Sequence, residues 1–196
     1  MTTSAPRVVL ASTSRYRCAL LARLGIAFDA VAPAIDEEAL KDPSLGPQKM
    51  AEALAFAKAN SLRAAYPGAI IIGSDQACAC AGQLLHKPGT LAAAREQLAF
   101  LAGQTHELLT AVCILHGDHT YAFTDITRLM MRPLTPGEIE RYVAADEPHD
   151  CVGAYKLEQR GIALFASIDS RDHTAITGLP LLAVAETLRR CGCIIP

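Results

Sequence analysis

The chain has 196 residues, 51% of them apolar, and a formal net charge of −2, which suffices for one sizeable core. No apolar run approaches the ~20 residues that cross a bilayer, and no basic block suits a nucleic-acid polymer. The opening MTTSAPR lacks the basic and apolar regions of a secretory signal. One compact cytoplasmic domain over residues 1–196 is therefore expected, with neither a membrane nor a nucleic-acid polymer as partner. A small anionic ligand stays compatible, because a few local cations can serve it.

Val8-Val9-Leu10-Ala11 reads as a first strand, halted by Ser12-Thr13-Ser14, after which Leu20, Leu21 and Leu24 recur at helical spacing up to Gly25. A strand-to-helix joint exposes unpaired N–H groups and the positive end of the helix dipole. Hydroxyls there, with Arg15 and Arg17 around Tyr16, make a place suited to anions. Plain capping by Ser14, with both arginines solvated, accounts for the same residues.

"FDAVAP" reads as a second strand, and the acidic "IDEE" at 35–38 opens a loop that reaches Pro47. A helix is expected from there to Tyr66, with Met50, Leu54, Ala57 and Ala65 on its apolar side and Lys58 within it. Ile70-Ile71-Ile72 has the character of a buried strand, broken at its carboxyl end by Gly73-Ser74-Asp75. Open α/β sheets bind ligands at that end of their strands. Residues 77–80 and 83–85 read as a hairpin about Gly82, and Thr90 as the cap of a helix carrying Ala94, Leu98 and Leu101.

Long strand candidates at 107–115 and 121–131 flank the turn Gly117-Asp118, which suggests an antiparallel ribbon. Thr135-Pro136-Gly137-Glu138 is a capping box for a helix to about Ala145. "GIALFASI" reads as a strand, and a closing helix begins at Pro180. The fold class is α/β with a mixed, twisted sheet flanked by helices. The seven cysteines are an odd number, and Cys78/Cys80 and Cys191/Cys193 have C-x-C spacing, so packed free thiols are expected rather than zinc ligands or a redox motif.

The common nucleotide, zinc and nucleophile-elbow signatures are absent. What remains is a set of charged residues at element ends: Arg17, Glu37, Lys58, Asp75 and Lys87. Each taken singly fits a solvated surface, except Asp75. A carboxylate directly beyond an isoleucine-rich buried strand is poorly explained by solvation, although it could cap a turn.

At these residues the sequence resembles the Maf, or septum-formation-inhibitor, nucleotide pyrophosphatases. "LASTSRYRCALL" matches the family's opening Ala-Ser-x-Ser-x-x-Arg-x-x-Leu-Leu. "VAPAIDEE", the helix holding Lys58, "IIGSDQ", "HKPGT", "LAGQTHELLTAV", "YVAADEP", "GAYKLEQRG" and "ITGLPL" follow in the family's order. Arg15 departs from the pattern, standing where proline is common, and Cys18 stands where arginine or glutamine is usual. The resemblance implies a Maf/ITPase-like fold with its active site in a cleft. It also implies hydrolysis of a nucleoside triphosphate between its α and β phosphates, with a divalent metal, Mg²⁺ or Mn²⁺. It further implies that Ser12, Arg17, Lys58 and Lys87 hold phosphates, that Glu37 and Asp75 hold the metal, and that Asp75 accepts a proton from the attacking water.

One branch of the family resembles dTTP/UTP pyrophosphatases, the other enzymes acting on 7-methyl-GTP. Tyr16, Gln76 and Glu158 follow the second pattern, where the first has arginine, threonine and glutamine. The chemistry suits a guanine made cationic at N7: an aromatic face for cation–π contact, and a carboxylate to accept from N1–H and the exocyclic amine. A dTTP/UTP pyrophosphatase and a non-catalytic nucleotide-binding regulator of cell division are the rival readings. A homodimer is the oligomer that symmetry favours.

Overall fold

A wholly buried Val-Val-Leu triplet, Val8–Leu10, forms strand β1. The computed structural model describes residues 6–196 apart from positions 41 and 43, so residues 1–5, expected to carry no signal, lie outside the described residues. β1 has parallel partners on both sides: β2 (Asp29–Ala30) and β3 (Ile70–Cys80), with Val8, Val9 and Leu10 opposite Ile70, Ile71 and Ile72. Parallel neighbours need crossover connections. Helix α1 (Arg15–Ala22) supplies the first and α2 (Pro47–Ser61) the second. β3 then returns as antiparallel β4 (Gln83–Leu85) through Ala81 and Gly82, both at positive φ, as a two-residue hairpin turn requires.

The chain continues through α3 (Leu91–Leu101), β5 (Thr105–His116), β6 (His119–Met131) and α4 (Pro136–Asp146). Two 3₁₀ turns, Pro148–Asp150 and Arg160–Leu164, precede β7 (Phe165–Asp169), α5 (His173–Ile176) and α6 (Leu181–Arg190). The sheet has the order β2-β1-β3-β5-β6-β7 with β4 beside β3, parallel at β2-β1-β3 and antiparallel at β3-β4 and β6-β7. This is the expected α/β mixed sheet.

The chain falls into two compact units. The first holds the chain up to Asp75 with Thr110–Asp125 and Asp172–Pro196; the second holds Gln76–Leu109 and Ile126–Arg171. In the first, Val8, Leu10, Ile70 and Ile72 share a buried cluster with Leu21 of α1 and with Val184 and Leu188 of α6. Each such side chain adds about 1.5–3 kcal/mol on burial. Val9, Ile71 and Gly73 point to the opposite face, as alternation along a strand requires. There α2 comes so close that a Cβ on Gly73 would lie 2.1 Å from the Ala55 carbonyl and 2.7 Å from the Ala59 nitrogen. In the second unit α3 packs on α4, and Tyr155 meets Phe165 edge-on at 4.8 Å.

Four details differ from the sequence expectations. β3 is not broken at Gly73-Ser74-Asp75 but runs on to Cys80, because Gly73 is there for close packing rather than for a turn. α2 stops at Ser61, and Ala65 is exposed instead of apolar-facing. The strand expected over 161–168 begins only at Phe165, since the Gly161 amide turns back to the Lys156 carbonyl at 3.1 Å. The four-residue α5 is too short to leave a periodic signal.

Candidate active site

The first unit gathers five of the singled-out residues from four segments. β1 ends at Leu10, the Ala11 amide still bonds to the Ile72 carbonyl at 2.8 Å, and the chain then leaves the sheet at Ser12, which is 5% exposed. Ser12 Oγ accepts the Ser14 amide at 3.1 Å, and Ser14, the N-cap of α1, accepts from the Arg17 amide. The capping and anion readings of this joint are thus compatible: Ser14 caps, while Ser12 shapes the loop ahead of the helix. Arg17, one turn into α1, donates Nε–H to the Gly178 carbonyl at 3.0 Å. Burial lowers the Arg17 pKa from its usual value, and the negative fields of Asp75 and Glu37 act against that, which keeps the guanidinium charged.

Lys58 is the centre of the cluster. It follows Met50 and Leu54 at four-residue intervals, so it points from α2 into the interior with its side chain 6% exposed. Its ammonium lies 2.6 Å from Asp75 Oδ1 and 2.9 Å from Glu37 Oε2. Asp75 sits on β3 beyond the point where β1 ends, so its 16%-exposed carboxylate faces the carboxyl edge of the parallel strands. Glu37 comes from the acidic loop, where Asp36 Oδ1 accepts the Glu38 and Ala39 amides. That loop is fastened to the end of α2 by Ser61, whose hydroxyl donates to the Lys58 carbonyl and accepts the Ala34 amide.

A second layer escaped the sequence reading. The Gly178 carbonyl that receives Arg17 also accepts the fully buried Ser74 hydroxyl at 3.0 Å. Asp172 fixes the turn that presents it, accepting Thr174 N–H and O–H at one oxygen and the Leu182 amide at the other. The residues lie in "IIGSDQ", where Ser74 precedes Asp75, and in "ITGLPL", where Gly178 stands between two uncharged residues. Neither residue type announces a buried carbonyl hub.

Of the remaining candidates, Tyr16 lies on α1 with the Arg15 guanidinium 4.7 Å from its ring centre and bonded to its hydroxyl at 2.7 Å. Gln76, Lys87 and Glu158 belong to the second unit. Gln76 is half-buried on β3, Lys87 is exposed in the connection before Thr90, and Glu158 is exposed in the turn between Lys156 and Arg160.

No group of three or more His, Cys, Asp or Glu able to hold a metal occurs among the described residues. A Mg²⁺-type ion needs no such cage. It is held by one or two carboxylates, substrate phosphates and water, and the Glu37–Asp75 pair fits that oxygen donor set. No helix among the described residues is long and apolar enough to cross a membrane.

This geometry places an arginine and a lysine beside two carboxylates, a polar arrangement suited to phosphate chemistry. Among curated proteins, the chain is 50% identical over 186 residues to the 7-methyl-GTP pyrophosphatase of Bdellovibrio bacteriovorus, covering 95% of this chain and 97% of that one. It is 47% identical to the protein of the same name from Xanthomonas campestris pv. campestris, covering 97% and 99%. The 7-methyl-GTP pyrophosphatase of Bordetella pertussis matches at 43%, covering 95% and 93%. Among solved structures, the Staphylococcus aureus Ham1 protein superposes with a TM-score of 0.52 at 15% identity, over 92% of this chain and 99% of that one, a likeness of fold. The family profile described as Maf-like protein matches residues 7–191, across both compact units. With that profile and relatives at 43–50% identity over almost its whole length, the chain belongs to the Maf family.

Proposed function

We propose that this protein is a nucleotide pyrophosphatase that hydrolyses 7-methyl-GTP between its α and β phosphates, giving 7-methyl-GMP and diphosphate and so removing a modified nucleotide. The observation that carries the chemistry is the Lys58 ammonium held between Asp75 and Glu37, with the half-buried Arg17 within their field. The names of the relatives support the choice of substrate.

In this reading Ser12, Arg17, Lys58 and Lys87 grip phosphate oxygens. Glu37 and Asp75 would hold a Mg²⁺ or Mn²⁺ ion, whose chemistry there is neutralisation of phosphate charge. Asp75 accepts the proton of the attacking water, the anhydride P–O bond breaks, and diphosphate leaves with the electron pair. Tyr16 meets the cationic base, Glu158 accepts from its N1–H and amine, and Gln76 completes the selection. The protein acts as one Maf-type domain on a small-molecule nucleotide, in the cytoplasm, where its seven free thiols suit a reducing compartment. Symmetry favours a homodimer.

The test is product analysis with Mg²⁺ or Mn²⁺ on a panel of 7-methyl-GTP, GTP, dTTP and UTP. The expected result is diphosphate with 7-methyl-GTP preferred, and a loss of at least about a thousandfold in Asp75→Asn with folding retained. Orthophosphate alone, or no turnover, would sink the enzyme reading. A preference for dTTP or UTP would move the protein to the family's other branch.

A further inference from the structure

Lys156 is a second buried lysine, and no proposed catalytic step uses it. Its side chain is 7% exposed, and its ammonium spends each of its three N–H groups within the second unit. One goes to the Asp146 carbonyl at 2.8 Å, one to the Glu147 carbonyl at 3.1 Å, and one faces Asp150 Oδ1 at 3.4 Å. The first two are carbonyls at the carboxyl end of α4, where Glu147 adopts a left-handed conformation at φ 45° and the helix leaves acceptors without intrahelical donors. A cation there also meets the negative end of the helix dipole.

The backbone of the same residue is equally committed. The Lys156 amide donates to the Tyr142 hydroxyl at 2.8 Å, and its carbonyl receives the amides of Gln159 and Gly161, both at 3.1 Å. Only glycine fits at 161, since a Cβ would stand 2.4 Å from that carbonyl oxygen. Asp146, whose side chain is fully buried, closes the other side by accepting the Arg160 amide at 3.0 Å and its guanidinium at 2.8 Å. Residues 156 and 160 are thus both fastened to the end of α4, and exposed Glu158 is the residue midway between the two anchors.

We propose that Lys156 is a positioning residue for base specificity: by tying the 156–160 turn to the end of α4 it holds the Glu158 carboxylate in one place. This rests on the reading that Glu158 recognises the base. A carboxylate on a loose turn would lose orientation entropy on meeting its donors, so the tether should act on recognition of the base rather than on phosphate chemistry.

The test compares wild type, Lys156→Met, Asp150→Asn, Glu158→Gln and the Lys156→Met/Glu158→Gln double variant. The readouts are kcat and KM with 7-methyl-GTP and dTTP, and amide hydrogen exchange over residues 153–161. Lys156→Met should cost 7-methyl-GTP at least tenfold more kcat/KM than dTTP, chiefly through KM, and should speed exchange in that segment. The double variant should discriminate no worse than Glu158→Gln alone, because both changes remove the same oriented carboxylate. Equal losses for both nucleotides, or additive loss of discrimination, would overturn the proposal. If Lys156→Met does not fold, Asp150→Asn decides: about a threefold fall in discrimination supports the tether, and an unchanged ratio overturns it. Glu158→Gln separates the two levels. If it leaves discrimination intact, the base reading fails and this inference with it; if it lowers discrimination while Lys156→Met does not, this inference fails alone.

Discussion

The Lys58 ammonium stands 2.6 Å from the Asp75 carboxylate on a side chain that is 6% exposed, and the same ammonium reaches Glu37 at 2.9 Å. The two carboxylates proposed to hold a divalent cation therefore share a resident one. A unit charge at about 4 Å is worth roughly 1–4 kcal/mol between the dielectric of water and that of a protein surface. Lys58→Gln should accordingly raise Mn²⁺ affinity about tenfold, measured by titration calorimetry on the protein alone. Diphosphate release should meanwhile fall at least about a hundredfold, because the phosphates lose a fixed positive charge. Equal or weaker Mn²⁺ binding in the variant would contradict the shared-cation arrangement.

Gly73 sets the distance between α2 and β3, and through it the meeting of Lys58 with Asp75. A methyl group there would press on backbone atoms of Ala55 and Ala59, which cannot swing away as a side chain can. Gly73→Ala should destabilise the fold by about 3 kcal/mol, at the upper end of overpacking costs. Urea denaturation gives the number, and a change within about 0.5 kcal/mol would mean that α2 shifts freely.

Much of this was legible in the sequence because periodicity and capping are local. The helix starts at Ser14, Thr90 and Thr135, the hairpin about Gly82 and the alternation of strands and helices all follow from side-chain spacing and short-range hydrogen bonds. Lys58 could also be read more sharply than as a charged residue within a helix, since it continues the Met50–Leu54 stripe. What could not be read depends on close approach between distant segments. Gly73 has the same chemistry in a turn as under a crossing helix, and its place in the sequence points to a strand end. Ser74, Gly178 and Asp172 form a hub through one carbonyl and one carboxylate, for which no spacing rule exists.

His106 gives the fold a defined response to acid. It is 1% exposed, bonds through Nε2 to the Tyr155 hydroxyl at 2.9 Å, and burial pulls its pKa from 6.5 to about 4. Its folded value lies below its unfolded one, so the unfolded chain takes up the proton first as pH falls. The stabilisation is complete above about pH 6.5 and is lost progressively down to about pH 4, for a total of about 3 kcal/mol. His106→Gln, which keeps a hydrogen-bonding partner for Tyr155, should show a flatter stability curve over that window. Parallel curves for the two proteins, from chemical denaturation at several pH values, would show that His106 is not the sensor.

Arg15 stands where the Maf pattern commonly has proline, and here its guanidinium lies 4.7 Å from the centre of the Tyr16 ring and bonds to the tyrosine hydroxyl. A 7-methylguanine that stacks on the same ring brings a second positive charge to an aromatic group already serving one. The ring's quadrupole then attracts both cations, while the cations repel each other. Removing the first should strengthen the second contact. At an exposed site such interactions are worth about 0.5–1 kcal/mol, which corresponds to a two- to fivefold change in KM. Arg15→Ala should thus lower KM for 7-methyl-GTP by about that factor and leave GTP, whose ring is uncharged, nearly unchanged. Tyr16→Leu should erase the difference between the two nucleotides, and adding Arg15→Ala to it should have no further effect. If Arg15→Ala instead raises KM for 7-methyl-GTP alone, the guanidinium is holding the ring in its stacking pose, and its presence in place of proline aids recognition of the base. Equal shifts for both nucleotides would place Arg15 on the phosphate side of the site and remove Tyr16 from base recognition.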